Sequence, residues 1–282
     1  MRSQRRAVVA RSSARLGLLM LGLLLLAALF ADWLAPYPAM QVALENQLAA
    51  PSAEHWLGCD ENGRDVLSLL LYGSRVSLLV GVCSMLISLL IGASLGAFAG
   101  FVGRWLDELV MRVIDVFFAF PGILLAILMV FLLRDAGVGS VILALSVSGW
   151  ASYARLTRGE VLREREMEYV NAARLLGLSR LRIVFRHVMP NVMGPLLVQA
   201  TFGVATAILA ESTLSFLGLG PGLSPFWGMS WGALLDQGSQ YFLLTPHLAL
   251  APGLLIMMTV LAINFVGDAL RDDFDPFTAQ ER

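Results

Sequence analysis

The chain contains no lysine; all 20 of its basic side chains are arginine. That absence excludes the P-loop, GxxxxGK[ST], whose lysine is the group that reaches the phosphates. Cysteine is nearly absent too. Cys59 lies in a polar stretch and Cys83 in an apolar run, which argues against a structural disulfide, and neither belongs to a CxxC pair. The three histidines, His55, His187 and His247, are far apart, so the four convergent ligands of a structural zinc site are missing. There is no pair of carboxylates in mid-segment, which argues against a membrane enzyme. Charge is scarce as well, at 15% of residues against about 25% in soluble domains. The chain has given up much of its water-facing surface.

What it has instead is apolar length. A span needs ~20 mostly apolar residues to cross a hydrocarbon core of ~30 Å, and six segments qualify. Leu16–Leu34 is apolar apart from Asp32. Uncharged runs of 28, 18, 19, 23 and 31 residues follow, bracketed by Arg75 and Arg104, Asp115 and Arg134, Asp135 and Arg155, His187 and Glu211, and Asp236 and Asp268. The last two-thirds of the final run read as helical. The expected fold is an all-α integral membrane protein with six transmembrane helices. The leucine run of the first segment is long for a secretory leader, so it is read as an uncleaved first helix.

A seventh uncharged stretch, Ser212–Leu235, is broken by Gly218, Gly220, Pro221, Gly222, Pro225, Gly228 and Gly232. Such a coil must lie against protein or at the interface, and Trp227 and Trp231 suit an interfacial position. With the N-terminus inside, 17 of the 20 arginines fall on the cytoplasmic side and only Arg64, Arg75 and Arg134 outside. Both termini are therefore expected in the cytoplasm. The chain divides into a cytoplasmic tail (1–15), a first span (16–34), an outer segment (35–75), a core (76–268) with a cytoplasmic loop at 160–191, and a second tail (269–282).

That loop, EVLREREMEYVNAARLLGLSRLRIVFRHVMPN, is the most informative stretch. Helical periodicity runs through Met167, Val170, Ala173 and Leu175 or Leu176 and ends at Gly177, the residue type expected just past a helix C-terminus. Ser179 is placed to cap a second short helix carrying Leu181, Ile183, Val184 and Val188, which Pro190 should stop. A helical pair outside the membrane needs something to cover its apolar face, and a partner protein is the expected cover.

Several single residues stand out. Gly92, Gly96 and Gly100 form a tandem GxxxG that lets another helix approach closely, either within this subunit or in a second one. Asp115, with Arg112 one turn away, reads as a paired structural carboxylate. Glu211, at the outer end of the fifth span, is a candidate for an outer gate or for simple interfacial solvation. Pro121 puts a bend in the third span and is a second candidate for the pathway. Asp268, Asp272, Asp273 and Asp275 read as a solvated tail.

The run Asn171-Ala172-Ala173, then Gly177, then His187-Val188-Met189-Pro190 resembles the EAA loop of ABC importer permeases, departing from it at Asn171 (usually Glu) and His187 (usually aliphatic). HWLGCDENGRDVLSLLLYGSRVSLLVG (His55–Gly81), LSFLGLG (Leu214–Gly220), Trp227–Gly228 and NFVGDALRDDFDP (Asn264–Pro276) are similar to the "C"-type permeases for dipeptides, oligopeptides and nickel. The resemblance implies a type I ABC importer permease fold in the inner membrane and a heterodimer with a homologous permease. It further implies two ATPase subunits that hold the ATP and Mg²⁺, a periplasmic or lipid-anchored binding protein, and no cofactor, metal or nucleic acid on this chain. By the same resemblance, coupling to the ATPases falls to Val170, Asn171, Ala172, Ala173, Arg174, Gly177 and Pro190. The substrate expected is a peptide, with a nickel chelate, glutathione or a sugar as alternatives. An ion-driven secondary transporter fits less well, because the mid-span positions are almost uncharged and no internal repeat is evident.

Overall fold

The computed structural model describes residues 2–134, 137–223 and 228–274, with side chains from residue 12 onward. Among them helices are the only regular elements, apart from one bridge between Cys59 and Asp65. Trp227, Asp275 and Pro276 lie outside the described residues.

The first helix, α1 (Arg2–Leu29), runs out of the tail into the first apolar run, breaks at Phe30 and resumes as α2 (Ala31–Leu34). The break has a cause in the next helix, α3 (Val66–Val102). Arg75 of α3 donates from Nε to the Ala28 carbonyl at 2.7 Å and from Nη2 to that of Leu29 at 3.2 Å. Its guanidinium also pairs with Asp32 at 2.9 Å. The orphan carbonyls of a helix end thus find their donors. α3 has 37 residues and starts nine residues before the expected boundary. Asp65 caps it, accepting from the Ser68 N–H at 2.8 Å.

The expected third span is not one rod. α4 (Arg104–Ala119) and α5 (Gly122–Leu133) meet at a bend of 91°. Phe120 is extended because the residue before a proline is pushed out of the helical region, and Pro121 offers no N–H to continue the ladder. The bend expected at Pro121 is a complete break. α6 (Val138–Glu164) carries the fourth span nine residues past Arg155.

After α6 come α7 (Glu168–Leu175) and α8 (Arg180–Ile183). α8 does not stop at Pro190. A π-helical turn at Val184–Val188 joins it to α9 (Met189–Phe216), so that one unbroken helix spans Arg180–Phe216. The π-turn shifts the hydrogen-bond register just ahead of Pro190, which then sits in the first turn of α9, where a missing N–H costs little. The glycine-rich stretch is also more ordered than expected, for it holds a half-helix, α10 (Trp231–Gln240), before the last helix, α11 (His247–Phe274). α11 carries Asp268, Asp272 and Asp273 in its final turns, where all three are exposed.

Four helices are long and apolar enough to cross a membrane, and a fifth span appears when the bent α4–α5 pair counts as one. α6 is long enough but interrupted by Ser140, Ser146, Ser148 and Ser152. It can carry them because it is packed among α3, α4, α5 and α9 rather than facing lipid. The six expected spans are α1–α2, α3, α4–α5, α6, α9 and α11.

The most extensive contact in the bundle is between α3 and α6. A methyl group added at Gly92 or Gly96 would collide with the carbonyl oxygens of Trp150 and Ala154, and one at Gly100 would lie 3.0 Å from that of Arg158. The tandem GxxxG therefore serves packing within the subunit, and the reading in which it meets a second permease is set aside. Gly96→Leu is expected to cost at least the ~1–3 kcal/mol of ordinary overpacking, since backbone rather than a movable side chain is in the way. Gly22→Leu, on α1 with nothing within 4 Å, serves as the control. Thermal unfolding in detergent should separate the two, and equal melting temperatures would contradict the glycine contact.

Candidate functional site

The helical pair α7–α8 is built from local signals. α7 ends in a Schellman closure in which the Gly177 N–H donates to the Arg174 carbonyl at 3.0 Å and the Leu178 N–H to that of Ala173 at 3.2 Å. Gly177 has φ +75°, the left-handed conformation that side chains resist. Ser179 then accepts from the Arg182 N–H and caps α8. Tyr169 ties the pair to its neighbours, donating to Glu164 at 2.6 Å and accepting from Asn191 at 2.8 Å. Partial burial and the Glu164 carboxylate raise the Tyr169 phenol above its ordinary range.

The apolar face of the pair is not left for a partner. Val170 and Ala173 are buried with Ile183, Val184 and Val188 against Ala93 and Ala97 of α3, Val161 of α6 and Leu196 of α9. Burying a Val or Ile side chain is worth ~1.5–3 kcal/mol, so this seat fixes the pair to its own subunit. The expected coupling residues therefore split. Val170 and Ala173 point inward, Gly177 makes the turn, and Pro190 lies in the first turn of α9. Asn171, Ala172 and Arg174 point outward, with the Arg174 guanidinium 3.1 Å from the Asn171 side-chain oxygen and stacked near Phe101. Asn171, at the position where glutamate is usual, is thus engaged within the subunit. Outside, further apolar side chains remain exposed, which the periodicity did not single out. Leu175 is 89% exposed and Leu176 80%, and Leu181 and Phe185 after the turn are exposed as well.

Asp115 pairs with Arg155 of α6 at 2.6 Å rather than with Arg112, which binds Glu108. Arg158 makes a double contact with Asp107, at 2.5 and 2.7 Å. These pairs lash α4 to α6 on the inner side of the Pro121 break.

Two of the three exceptions to the arginine asymmetry, Arg64 and Arg75, have partners at the other end of the bundle. Arg64 is buried and paired with Asp60 at 2.7 Å, and Arg75 serves the end of α1. His55 binds Asp65 at 3.0 Å and lies against Tyr37. Cys59 is fully enclosed between these groups. Burial, with Asp65 and Asp60 nearby, pushes its thiol up to about 11.

Glu211 is not solvated at an interface; it is fully buried. Its Oε1 accepts from the Ser215 hydroxyl at 2.6 Å, and its Oε2 accepts from Ser77 of α3 at 3.1 Å and from Ser212 at 3.5 Å. Ser230, the cap of α10, donates to Ser215 at 3.0 Å, and the Trp231 N–H donates to Ser77 at 3.2 Å. Among the described residues no basic side chain pairs with the carboxylate. Trp231, expected at the membrane interface, is instead an enclosed anchor whose indole N–H donates to the Leu70 carbonyl at 3.0 Å. Above this network lies an outward cavity of about 410 Å³, lined by Glu61, Arg64, Ser215, Gly220, Ala233 and Gln237 among others. The serines come from α3, α9 and the cap of α10, so no local pattern could have grouped them; the one usable signal was Ser230 just ahead of a short helix.

A polytopic helical bundle with an exposed helical pair at one end and a buried polar network at the other is a membrane translocation subunit. The chain belongs to the family described as "Binding-protein-dependent transport system inner membrane component", whose model matches residues 92–280. A second model, "N-terminal TM domain of oligopeptide transport permease C", matches residues 4–51. The chain is 40% identical over 263 residues to the dipeptide transport system permease protein DppC of Alkalihalophilus pseudofirmus, covering 93% of this chain and 85% of that one. It is 39% identical over 257 residues to the glutathione transport system permease protein GsiD of Pectobacterium atrosepticum, covering 90% and 83%. Among solved structures, an inward-facing form of the MetNI methionine ABC transporter matches in fold with a TM-score of 0.60, over 73% of this chain and 96% of that one, at 20% identity.

Two measurements test this geometry. A Cβ at Gly177 would meet nothing within 4 Å, so Gly177→Val should act through backbone strain alone, about 1–2 kcal/mol. Faster amide exchange at Leu176–Leu178 in Gly177→Val, and less effect in Gly177→Asn, is the expected result. For Cys59, about one thiol in a thousand is ionised at pH 8, against roughly a quarter of a free cysteine. Its alkylation should be ~100-fold slower than that of an exposed cysteine and still accelerating between pH 9 and pH 10; a plateau by pH 9 would contradict the burial.

Proposed function

We propose that this chain is the non-catalytic permease subunit of an ATP-driven importer, pairing with a homologous permease to form the path for short peptides across the inner membrane. Two ATPase subunits, which hold the ATP and Mg²⁺, dock on its cytoplasmic helical pair, and a periplasmic or lipid-anchored binding protein delivers the substrate outside. The observation that carries the reading is the ridge of Leu175, Leu176, Leu181 and Phe185 left exposed after Val170 and Ala173 have been buried at home. Apolar side chains standing in the aqueous phase at this exposure are the mark of a protein contact. Arg174, Arg180 and Arg182 border the ridge and favour an acidic rim on the ATPase. The arginine asymmetry supports both termini in the cytoplasm. The absence of a P-loop lysine supports energy supply from another polypeptide.

Peptide import rests on similarity to a dipeptide permease. Glutathione, itself a tripeptide, is the second reading, since a glutathione permease is about as similar. Uptake by vesicles holding the whole transporter, offered dipeptides, glutathione or a nickel chelate, distinguishes them.

Because the ridge and the seat face opposite ways, their substitutions should fail differently. Leu175→Asp and Leu176→Asp are expected to leave a folded, inserted subunit that retains less than a tenth of the ATPase on co-purification. Ala173→Trp is expected to reduce the yield of folded subunit itself. Equal ATPase retention by Leu176→Asp and the unaltered chain, or labelling of Ser179→Cys from outside intact cells, would overturn the docking reading.

A further inference from the structure

Glu211 occupies an expensive position. A carboxylate out of water is normally paired with a cation, and a buried polar network is less stable than apolar packing of the same volume. Here the stabilising groups are hydroxyls alone, and they come from three separate elements. α9 supplies Glu211, Ser212 and Ser215, α3 supplies Ser77, and the cap of α10 supplies Ser230, with the Trp231 N–H closing the ring onto Ser77. Removing any one element leaves the carboxyl group short of donors.

α10 is a short element packed against α11, α9 and α3. It is a half-helix of 10 residues, and the described flanks of its connection to α9 include Gly218 and Gly228, both at φ +74°. It is seated by close contacts at its two ends, Gly232 against the Ser212 backbone and Gly238 against Leu248 and Ala249. Its outward side forms one wall of the 410 Å³ cavity, and Ser215, a direct partner of Glu211, lines that same cavity. Lifting α10 would therefore take Ser230 away from Ser215 and the Trp231 N–H away from Ser77, and would open the carboxylate that those two serines serve to water. Apolar burial of Trp231 holds the element down, while hydration of Glu211 favours its release, so the two positions are balanced against each other.

We propose that α10 is the outer closure of the translocation path and that the Glu211–serine network is its latch, engaged in the arrangement described and broken when the path opens outward. This rests on the reading of the chain as an importer permease. α8, the π-turn and α9 form one unbroken helix, so Leu181 and Phe185 of the docking ridge and the latch carboxylate are carried on the same element. Movement of the ATPases thereby reaches the latch without an intermediary.

The Oγ atoms of Ser215 and Ser230, 3.0 Å apart, offer the test. In the assembled transporter, Ser215→Cys with Ser230→Cys places two thiols at disulfide range, and oxidation should bridge α9 to α10. The expected result is a drop in substrate uptake of at least tenfold in the bridged sample, with loss of the ATPase stimulation caused by the binding protein, and recovery of both on reduction. Import by the bridged transporter at its reduced rate would overturn the latch, as would failure of the bridge to form. A second arm replaces the carboxylate. Glu211→Leu should raise ATPase activity in the absence of binding protein several-fold, while Glu211→Gln, which keeps one accepting oxygen and can donate to a serine hydroxyl with the other end, should have a smaller effect. A Glu211→Leu transporter that remains fully dependent on binding protein would also overturn it. The unaltered complex in the same vesicles separates the two ideas. If that complex shows no ATP-dependent uptake, the importer reading fails; if it does and uptake survives the bridge, only the latch fails.

Discussion

The bundle depends on the close approach of two backbones. α3 and α6 meet across Gly92, Gly96 and Gly100, where α3 presents bare backbone to the carbonyls and Cβ atoms of α6, and both ends of the molecule are built on that contact. At the inner end, Ala93 and Ala97 of α3 and Val161 of α6 form the seat that receives Val170, Ala173, Ile183, Val184 and Val188. At the outer end, α3 presents Ser77 to Glu211 and the Leu70 carbonyl to Trp231. In a bilayer the hydrophobic effect does little to bring helices together, so association relies on small residues and close packing. The glycines supply both, and they fix the distance between the two sites.

How much of this could be read from the sequence depended on the range of the interaction. Gly177 and Ser179 were legible because a helix end is a local event; the Schellman closure and the cap involve neighbours within five residues. The periodicity of Val170 and Ala173 was equally legible, but not the direction in which it pointed, since the covering residues are about 80 positions upstream on α3. Pro121 announced a bend and delivered a break. Pro190 announced a stop and delivered none, because the π-turn before it had already adjusted the register. α6 was found by its charge-free length, although its serines make it the least apolar of the spans. Apart from Ser230 ahead of a short helix and Ser212 and Ser215 close by on α9, the Glu211 network was not legible: Ser77 and Glu211 are 134 positions apart, and a serine in a membrane helix carries no sign of a distant partner.

Paired charges account for the remaining exceptions. Arg64, Arg75 and Asp32 each looked misplaced for a membrane protein read from its charges. Arg64 is neutralised by Asp60, and Arg75 spends its donors on the carbonyls of Ala28 and Leu29 and on Asp32. α1 touches the rest of the bundle chiefly through α11 and α3, and Arg75 is the polar clasp that holds its outer end.

The continuity of α8, the π-turn and α9 also has a mechanical meaning. From Leu181 to Glu211 the helix rises about 45 Å at 1.5 Å per residue. Treated as a lever pivoting near its inner end, a tilt of about 5° displaces the outer end by roughly 4 Å over that length. A hydrogen bond is lost over a much shorter excursion than that. The amplification lies in the length of one helix: a rotation of a few degrees at its α8 end changes which oxygen atoms are within reach of one another around Glu211.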